Sequence, residues 1–320
     1  MQPELTLASS NIGKPLAAPA PGSLQQAIDD WVHHRIVGEP KLLGDSRRAY
    51  VEHHLQRSLA AISLVPERAQ RGRLLELGSG LYFMSFLVER LCNYDLDLVQ
   101  YWGRPSGSYA TTMVDDRTGK QRVLPFKEFN AEQERFPYPD ESFDVILNCD
   151  AIEHMLCDPV HMLAECHRVL KPDGVMVVTT PNVMRTDNIV RLLQGVNIHD
   201  KYMRESASAR HPREYTPDEL RRIHEWVGFD VTHIETLDVT RSTVPRTGRR
   251  IARAALAAFR FASRFVGTSG ADTGPWRGEQ IILSARRSRP VQHSAPDFLY
   301  EHPGDSSRIV AALHGERNEQ

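Results

Sequence analysis

No run of about 18 apolar residues occurs in the 320-residue chain. The first 22 residues also lack the basic start and apolar centre of a secretory signal. A membrane-spanning or exported protein is therefore not expected, and a cytoplasmic location is. Cysteine is scarce: Cys92, Cys149, Cys157 and Cys166 stand at neither C-x-x-C nor zinc-finger spacing, which argues against a disulfide or zinc framework and suits reduced thiols. Excess charge of either sign is missing, since 39 Lys and Arg meet 41 Asp and Glu for a net charge of −2. General attraction to nucleic acid is thereby excluded. No internal repeat is visible. What remains is 41% hydrophobic and 25% charged residues, enough to bury the core of one domain of ordinary to large size with extensions.

A further absence is local. "LLELGSGLYF", Leu74 to Phe83, has Gly78 and Gly80, but Phe83 stands where a dinucleotide fingerprint needs its third glycine. The two glycines allow a sharp turn and close backbone approach to a ligand. Glu76, just before the turn, is a poor neighbour for a pyrophosphate and a good one for a cation. S-adenosylmethionine carries an ammonium and a sulfonium, and a carboxylate here can organise its amino-acid end. The competing reading is a merely structural turn.

Around this turn the chain is ordered in stretches. Residues 1–22 read as a flexible leader and 23–69 as a helical cap, with Ser23 capping "LQQAIDDWVHH" and Asp45 capping "SRRAYVEHHLQRSLAAISL". From residue 70 strands and helices alternate, which predicts an α/β domain with a parallel sheet covered on both faces. The strands are "RLLEL", "DLDLVQYW", "LPFKEF", "FDVILNC", "GVMVVTT", "FDVTHIETL" and "EQIILSARR". A hairpin around Asp-Arg-Thr-Gly in "ATTMVDDRTGKQRVLPF" replaces or interrupts one crossover helix. Asp158 with Pro159 opens one helix, and Thr216, Pro217 and Glu219 form the capping box of another. Residues 288–320 are a turn-rich tail.

The glycine turn is followed, in order, by "NAEQERFPYPDESFDVILNCDAIEH", "LAECHRVLKPDGVMVVTTPN" and "HPREYTPDELRRIHEWVGF". Over about residues 70–287 this resembles the class I S-adenosylmethionine-dependent methyltransferases, in the group of ubiquinone-pathway, sugar and secondary-metabolite enzymes. The resemblance implies a Rossmann-like doubly wound sheet of seven strands, mostly parallel with an antiparallel last strand, and S-adenosyl-L-methionine as cofactor. It implies that Glu76, Gly78, Ser79 and Gly80 surround the methionine part. Gln100 stands where an acid normally takes the ribose hydroxyls, with Asp97 as a substitute. Asn130 would accept from the adenine amino group, the amide of Ala131 or Glu132 would reach the ring, and Cys149 and Asp150 would line the cofactor. Tyr82 would wall the methionine end or pack beneath the lid.

Methyl transfer to a hydroxyl needs in-line positioning and removal of a proton. His154 is the first candidate base and His211 the second; each is equally readable as a loop anchor. Asp150-x-x-Glu153-His154 resembles the Glu-x-x-Glu-His metal set of ubiquinone-pathway enzymes, so Asp150, Glu153 and His154 are candidate ligands of a divalent cation. Residues 182–215 read as a polar substrate lid suited to a polyhydroxylated acceptor, hence a sugar or sugar-containing small molecule. The alternatives are a quinone-like or phenolic O-methyltransferase, a small-molecule N- or C-methyltransferase, or a cofactor-binding scaffold of a biosynthetic complex. A nucleic-acid substrate is not expected, as no Asn/Asp-Pro-Pro-aromatic stretch occurs. Residues 241–267 hold seven arginines and no acid. Arg249, Arg253, Arg260 and Arg264 share one helical face and Ile251, Ala255, Phe259 and Ala262 another. Such a helix packs its apolar side on the domain or touches an anionic membrane surface.

Overall fold

Apolar runs without an alternating polar face must be covered on both sides, and these runs become the inner strands of one sheet. The computed structural model describes residues 23–37, 44–201, 210–239 and 277–300, with 245, 247–252, 254–255 and 257–258. Its elements begin with α1 (Ser23–His33), β1 (His34–Ile36), α2 (Gly44–Ser63), β2 (Gly72–Leu77), α3 (Phe83–Leu91) and β3 (Tyr94–Gln100). Next come β4 (Gly107–Asp115), β5 (Gln121–Glu128), β6 (Phe143–Cys149), α4 (Pro159–Val169) and β7 (Leu170–Pro181). The series ends with α5 (Thr186–Leu193), α6 (Pro217–Val227), β8 (Phe229–Leu237) and β9 (Gln280–Arg287).

The strand order is β1-β4-β5-β3-β2-β6-β7-β9-β8. Strands β5, β3, β2, β6 and β7 run parallel, and β9 lies antiparallel between β7 and β8. The expected Rossmann-like sheet is thus present, but it has nine strands rather than seven. The two extra ones extend the β5 edge. The hairpin read from period-two text is β4–β5, paired from Gly107↔Glu128 to Val114↔Gln121. It takes the place of a crossover helix, and "LPFKEF" is the end of its second arm. The first helix ends at His33, and His34, read as its last residue, begins β1, which pairs antiparallel with β4.

Two cores flank the sheet. One packs α4 and α6 on it through Leu163, Cys166, Ile223 and Val227. The other joins α1, α2 and α3 through Trp31, Ala61, Ile62, Phe83 and Leu87. Trp31 ties the leading helix to the glycine turn: its Nε1 donates to the Leu81 carbonyl at 2.8 Å, and its ring lies 4.9 Å from that of Phe83. Two helix starts follow their cap signals, whereas Ser23 and Asp45, read as caps, lie within the first turns of α1 and α2. Asp158 accepts from the His161 amide at 3.0 Å with Pro159 at the first turn, and both halves of the Thr216–Glu219 capping box form.

Residues 288–300 return across α4 and α6, where the Tyr300 hydroxyl donates to Asp158 at 2.7 Å. In the basic stretch the orientation is the reverse of simple packing. Arg249 turns inward to Asp238 at 2.6 Å and Asp187 at 3.6 Å, while Ile251 is 70% exposed. Arg253, Phe259, Arg260, Ala262 and Arg264 lie outside the described residues, as do the leader 1–22 and residues 301–320. Among the described residues no helix is long and apolar enough to cross a membrane.

Candidate active site

In a doubly wound sheet the ligand cleft lies beyond the carboxyl ends of the strands. The glycine turn opens there. Gly78 (φ 77°) and Gly80 (φ 37°) take left-handed backbone conformations. The amides of Gly78 and Ser79 both donate to the Val99 carbonyl at 3.0 Å, folding the turn back on β3. A Cβ on Gly78 would lie 3.1 Å from that of Ala151, so glycine is what lets the turn pass the end of β6. Tyr82 is also left-handed (φ 64°) and 1% exposed; its hydroxyl donates to Thr111 Oγ1 at 3.0 Å. It packs under the β4–β5 hairpin, away from the turn's open side.

Beside the turn lies a cavity of about 220 Å³ between the ends of β2 and β6 and the side of α2. Glu76, Gly78, Ser79, Gly80, Cys149 and Asp150 line it, so the four residues expected around the methionine part meet the two expected to line the cofactor. Glu76 is 3% exposed and accepts from Ser85 Oγ at 2.6 Å. Burial raises its carboxyl to about 7 against the Ser85 bond. Burial also pushes the Cys149 thiol up, which keeps it neutral.

The opposite wall was not legible as such in the sequence. Tyr50, Arg57 and Ser58 of α2 face the cavity, and Arg57 forms an ion pair with Asp150. Their spacing along the helix places them on one face, in a stretch otherwise read for its apolar residues. That was the available signal. Asp150 (φ 53°) also accepts from Thr179 Oγ1 at 3.3 Å. Burial raises its carboxyl, and Arg57 pulls it down.

The commitment of Asp150 corrects the expected metal set. Among the described residues, Glu153, His154 and His211 bring one ligand atom each within 4.8 Å of one another, and Asp150 is not in the group. The two imidazoles, named from sequence as alternative bases, are neighbours with ring centroids 5.0 Å apart. His154 Nδ1 meets the Arg210 carbonyl at 3.0 Å. His211 Nδ1 faces Glu214 Oε1 at 3.4 Å, and Arg185 holds the other Glu214 oxygen at 2.7 Å. The Glu214 contact is the main cause that raises His211 above its ordinary range, although burial opposes it. Glu153 is fully buried; Thr180 donates to one oxygen at 2.9 Å and the other has no hydrogen-bond partner. Burial first, and the nearby Asp150 second, raise its carboxyl to about 8.

Where a nucleoside was expected the picture differs. The Asn130 side-chain oxygen accepts from the Glu132 amide at 2.9 Å, so those two groups satisfy each other in a turn. The Glu132 carboxylate clamps the next loop, accepting from the Leu156 and Asp158 amides at 2.9 Å, and Ala131 packs on the core. Gln100 is 5% exposed and hydrogen-bonded inside the protein. Asp97 pairs with Arg73 at 2.9 Å. None of these lines the cavity beside the glycine turn.

A family profile described as the methyltransferase domain matches residues 47–234. A probable S-adenosylmethionine-dependent methyltransferase of Mycolicibacterium smegmatis is 36% identical over 95 residues, 30% of this chain and 32% of the relative. A ubiquinone biosynthesis O-methyltransferase of Cereibacter sphaeroides is 31% identical over 168 residues, 49% of this chain and 60% of the relative. The chain thus spans from about a third to three fifths of the length of these relatives. Among solved structures, a SAM-dependent methyltransferase from Archaeoglobus fulgidus aligns with a TM-score of 0.43 at 18% identity, covering 75% of this chain and 94% of that one.

Proposed function

Since the chain belongs to the methyltransferase-domain family, we propose that it is an S-adenosylmethionine-dependent methyltransferase acting on a hydroxyl of a small molecule, a sugar or sugar-containing metabolite. The observation that carries the reading is the cavity at the glycine turn, which offers both signs of charge. An amino-acid group needs a carboxylate near its ammonium and a cation near its carboxylate. Glu76 and Asp150 supply the one and Arg57 the other. The room left by Gly78 and Gly80 suits the same group, and Ser79 closes its side.

When bound, S-adenosylmethionine supplies an electrophilic methyl group for in-line displacement. The chain's own residues then have two tasks. Arg57, Glu76 and Asp150 fix the amino-acid end. His211, with Nδ1 turned to Glu214, is left with Nε2 to take the proton from an acceptor hydroxyl, and His154 stands beside it. The described polar residues of the 182–215 stretch are the acceptor side, and Arg185 and His211 come from it. A ubiquinone biosynthesis O-methyltransferase among the relatives is in keeping with a hydroxyl acceptor.

The Glu153, His154 and His211 group favours a second reading, in which a divalent cation lowers the acceptor's pKa. The donor chemistry fits a cation with two imidazoles and one carboxylate. Metal analysis of purified protein, with activity measured in excess chelator, separates the two. The primary reading is tested by incubating labelled cofactor with extract of the source organism and identifying the labelled product. A product methylated on nitrogen or carbon overturns the hydroxyl assignment; binding without any turnover favours a scaffold.

A further inference from the structure

The nucleoside end of the cleft departs from the usual carboxylate grip. In doubly wound folds the acid that takes ribose hydroxyls stands about 20 residues beyond the glycine turn. That place is Gln100, twenty positions after Gly80. Its amide is consumed within the protein: Oε1 accepts from Trp102 Nε1 at 2.6 Å, and Nε2 lies 3.4 Å from the Gly80 carbonyl. A carboxylate, Glu128, stands directly opposite Gln100 in the β3–β5 register and is 1% exposed. One of its oxygens accepts the Trp102 and Arg104 amides at 2.7 and 2.9 Å, and the other takes the Arg104 guanidinium at 2.6 Å. Asp97 is held by Arg73. No side chain at the end of β3 is left to present the paired acceptors that a vicinal diol requires.

The same bonds hold an aromatic ring in place. Trp102 is 58% exposed, yet its indole nitrogen is anchored on buried Gln100 and its main-chain N–H on buried Glu128. Arg104, stacked 4.3 Å from the Tyr109 ring centroid, fixes the far side of the loop. An exposed indole held by its ring nitrogen, on a backbone that is itself held, loses little rotamer freedom when a flat ligand packs on it. We infer that Trp102 is the face on which the nucleoside end of an S-adenosyl ligand packs, so that this chain recognises the nucleoside by stacking and not by gripping its ribose hydroxyls. The inference rests on the cofactor reading above.

Calorimetry on the full chain, with S-adenosylhomocysteine and its 2′-deoxyribosyl analogue as probes, tests it. The two ligands should bind within about threefold of each other. Trp102→Ala should weaken both by about tenfold or more, and Trp102→Phe, which keeps a ring, by less than about threefold. A loss of about thirtyfold for the deoxy analogue, or unchanged affinity in Trp102→Ala, overturns the inference and leaves the cofactor reading standing. Absence of S-adenosylhomocysteine binding overturns that reading and this inference with it. If Trp102→Ala fails to fold, the Phe variant and the deoxy comparison decide.

Discussion

Arg57, on a helix that precedes the sheet, is ion-paired with Asp150 at the carboxyl end of β6. The contact makes α2 a wall of the cleft rather than an appendage to it. Both side chains are nearly buried, at 16% and 17% exposure, so neither is free to rearrange without cost. Arg57→Met should therefore destabilise the chain by on the order of 2 kcal/mol, because Asp150 is left without its partner. Arg57→Met combined with Asp150→Asn should recover most of that loss. Urea unfolding of the three variants measures both effects, and equal stability of the single and double variants would show the pair to be idle.

Glu76 gives the proposed cofactor site a pH dependence of definite sign. Its carboxyl sits near 7 because it is buried, and a bound ammonium would favour the ionised form and pull it down. Binding should then release a proton. Affinity for S-adenosylmethionine should rise as pH increases from about 6 to 8 and level off above. Titrations in buffers of different ionisation enthalpy count the proton directly, and Glu76→Gln should abolish the release while weakening binding.

The same argument applies to stability at Glu153. Its carboxyl is raised to about 8 in the folded chain, so the folded state holds a proton that the unfolded state releases near the ordinary glutamate value. The sign is therefore fixed: this contribution is full below about pH 4 and is lost as pH rises through about 8. Glu153→Gln should flatten the decline in stability across that range. A wild-type stability curve that rises through it, with the variant unchanged, would contradict the assignment.

His211 is held above its ordinary range by Glu214, so as a base it works only at the alkaline side of that raised value. The rate with an identified hydroxyl acceptor should climb with pH through a pKa above about 6.5. His211→Asn should remove that limb and lower the rate by about 10² or more, whereas His154→Asn should keep the limb. The opposite outcome would exchange their roles.

The clearest stability test lies away from the cleft. Thr216 accepts from the Glu219 amide at 3.1 Å and Glu219 reaches back to the Thr216 amide at 2.9 Å. Thr216→Ala should cost about 1 kcal/mol. That corresponds to roughly 2–4 °C in Tm for a domain of this size, read by differential scanning calorimetry.

Which of these features could be read from sequence follows from the range of the interactions that make them. The capping box and the β4–β5 hairpin are written in adjacent residues, as period two around Asp-Arg-Thr-Gly and as Thr-Pro-x-Glu, and both form where they were expected. The turn at Gly78 and Gly80 is local for the same reason. In contrast, β1 has only three residues and no alternation; its pairing with β4 decides it. Asp150 and Glu153 look like partners because they are close in sequence. The left-handed backbone at Asp150 and the distant Arg57 separate their roles, and His211 meets Glu153 and His154 from a position more than fifty residues further along the chain. The Asn130 oxygen, read as an acceptor for a ligand, also accepts from the amide two residues on, as short polar side chains in turns often do.

On the proposed function, the cavity beside the glycine turn holds the amino-acid end of S-adenosylmethionine between Glu76, Asp150 and Arg57. Isothermal titration of the intact chain with that cofactor tests it most directly. A single site of micromolar affinity, weakened about tenfold or more in Arg57→Met, is the predicted result. No heat at millimolar cofactor, or equal affinity in the wild type and Arg57→Met, would contradict it.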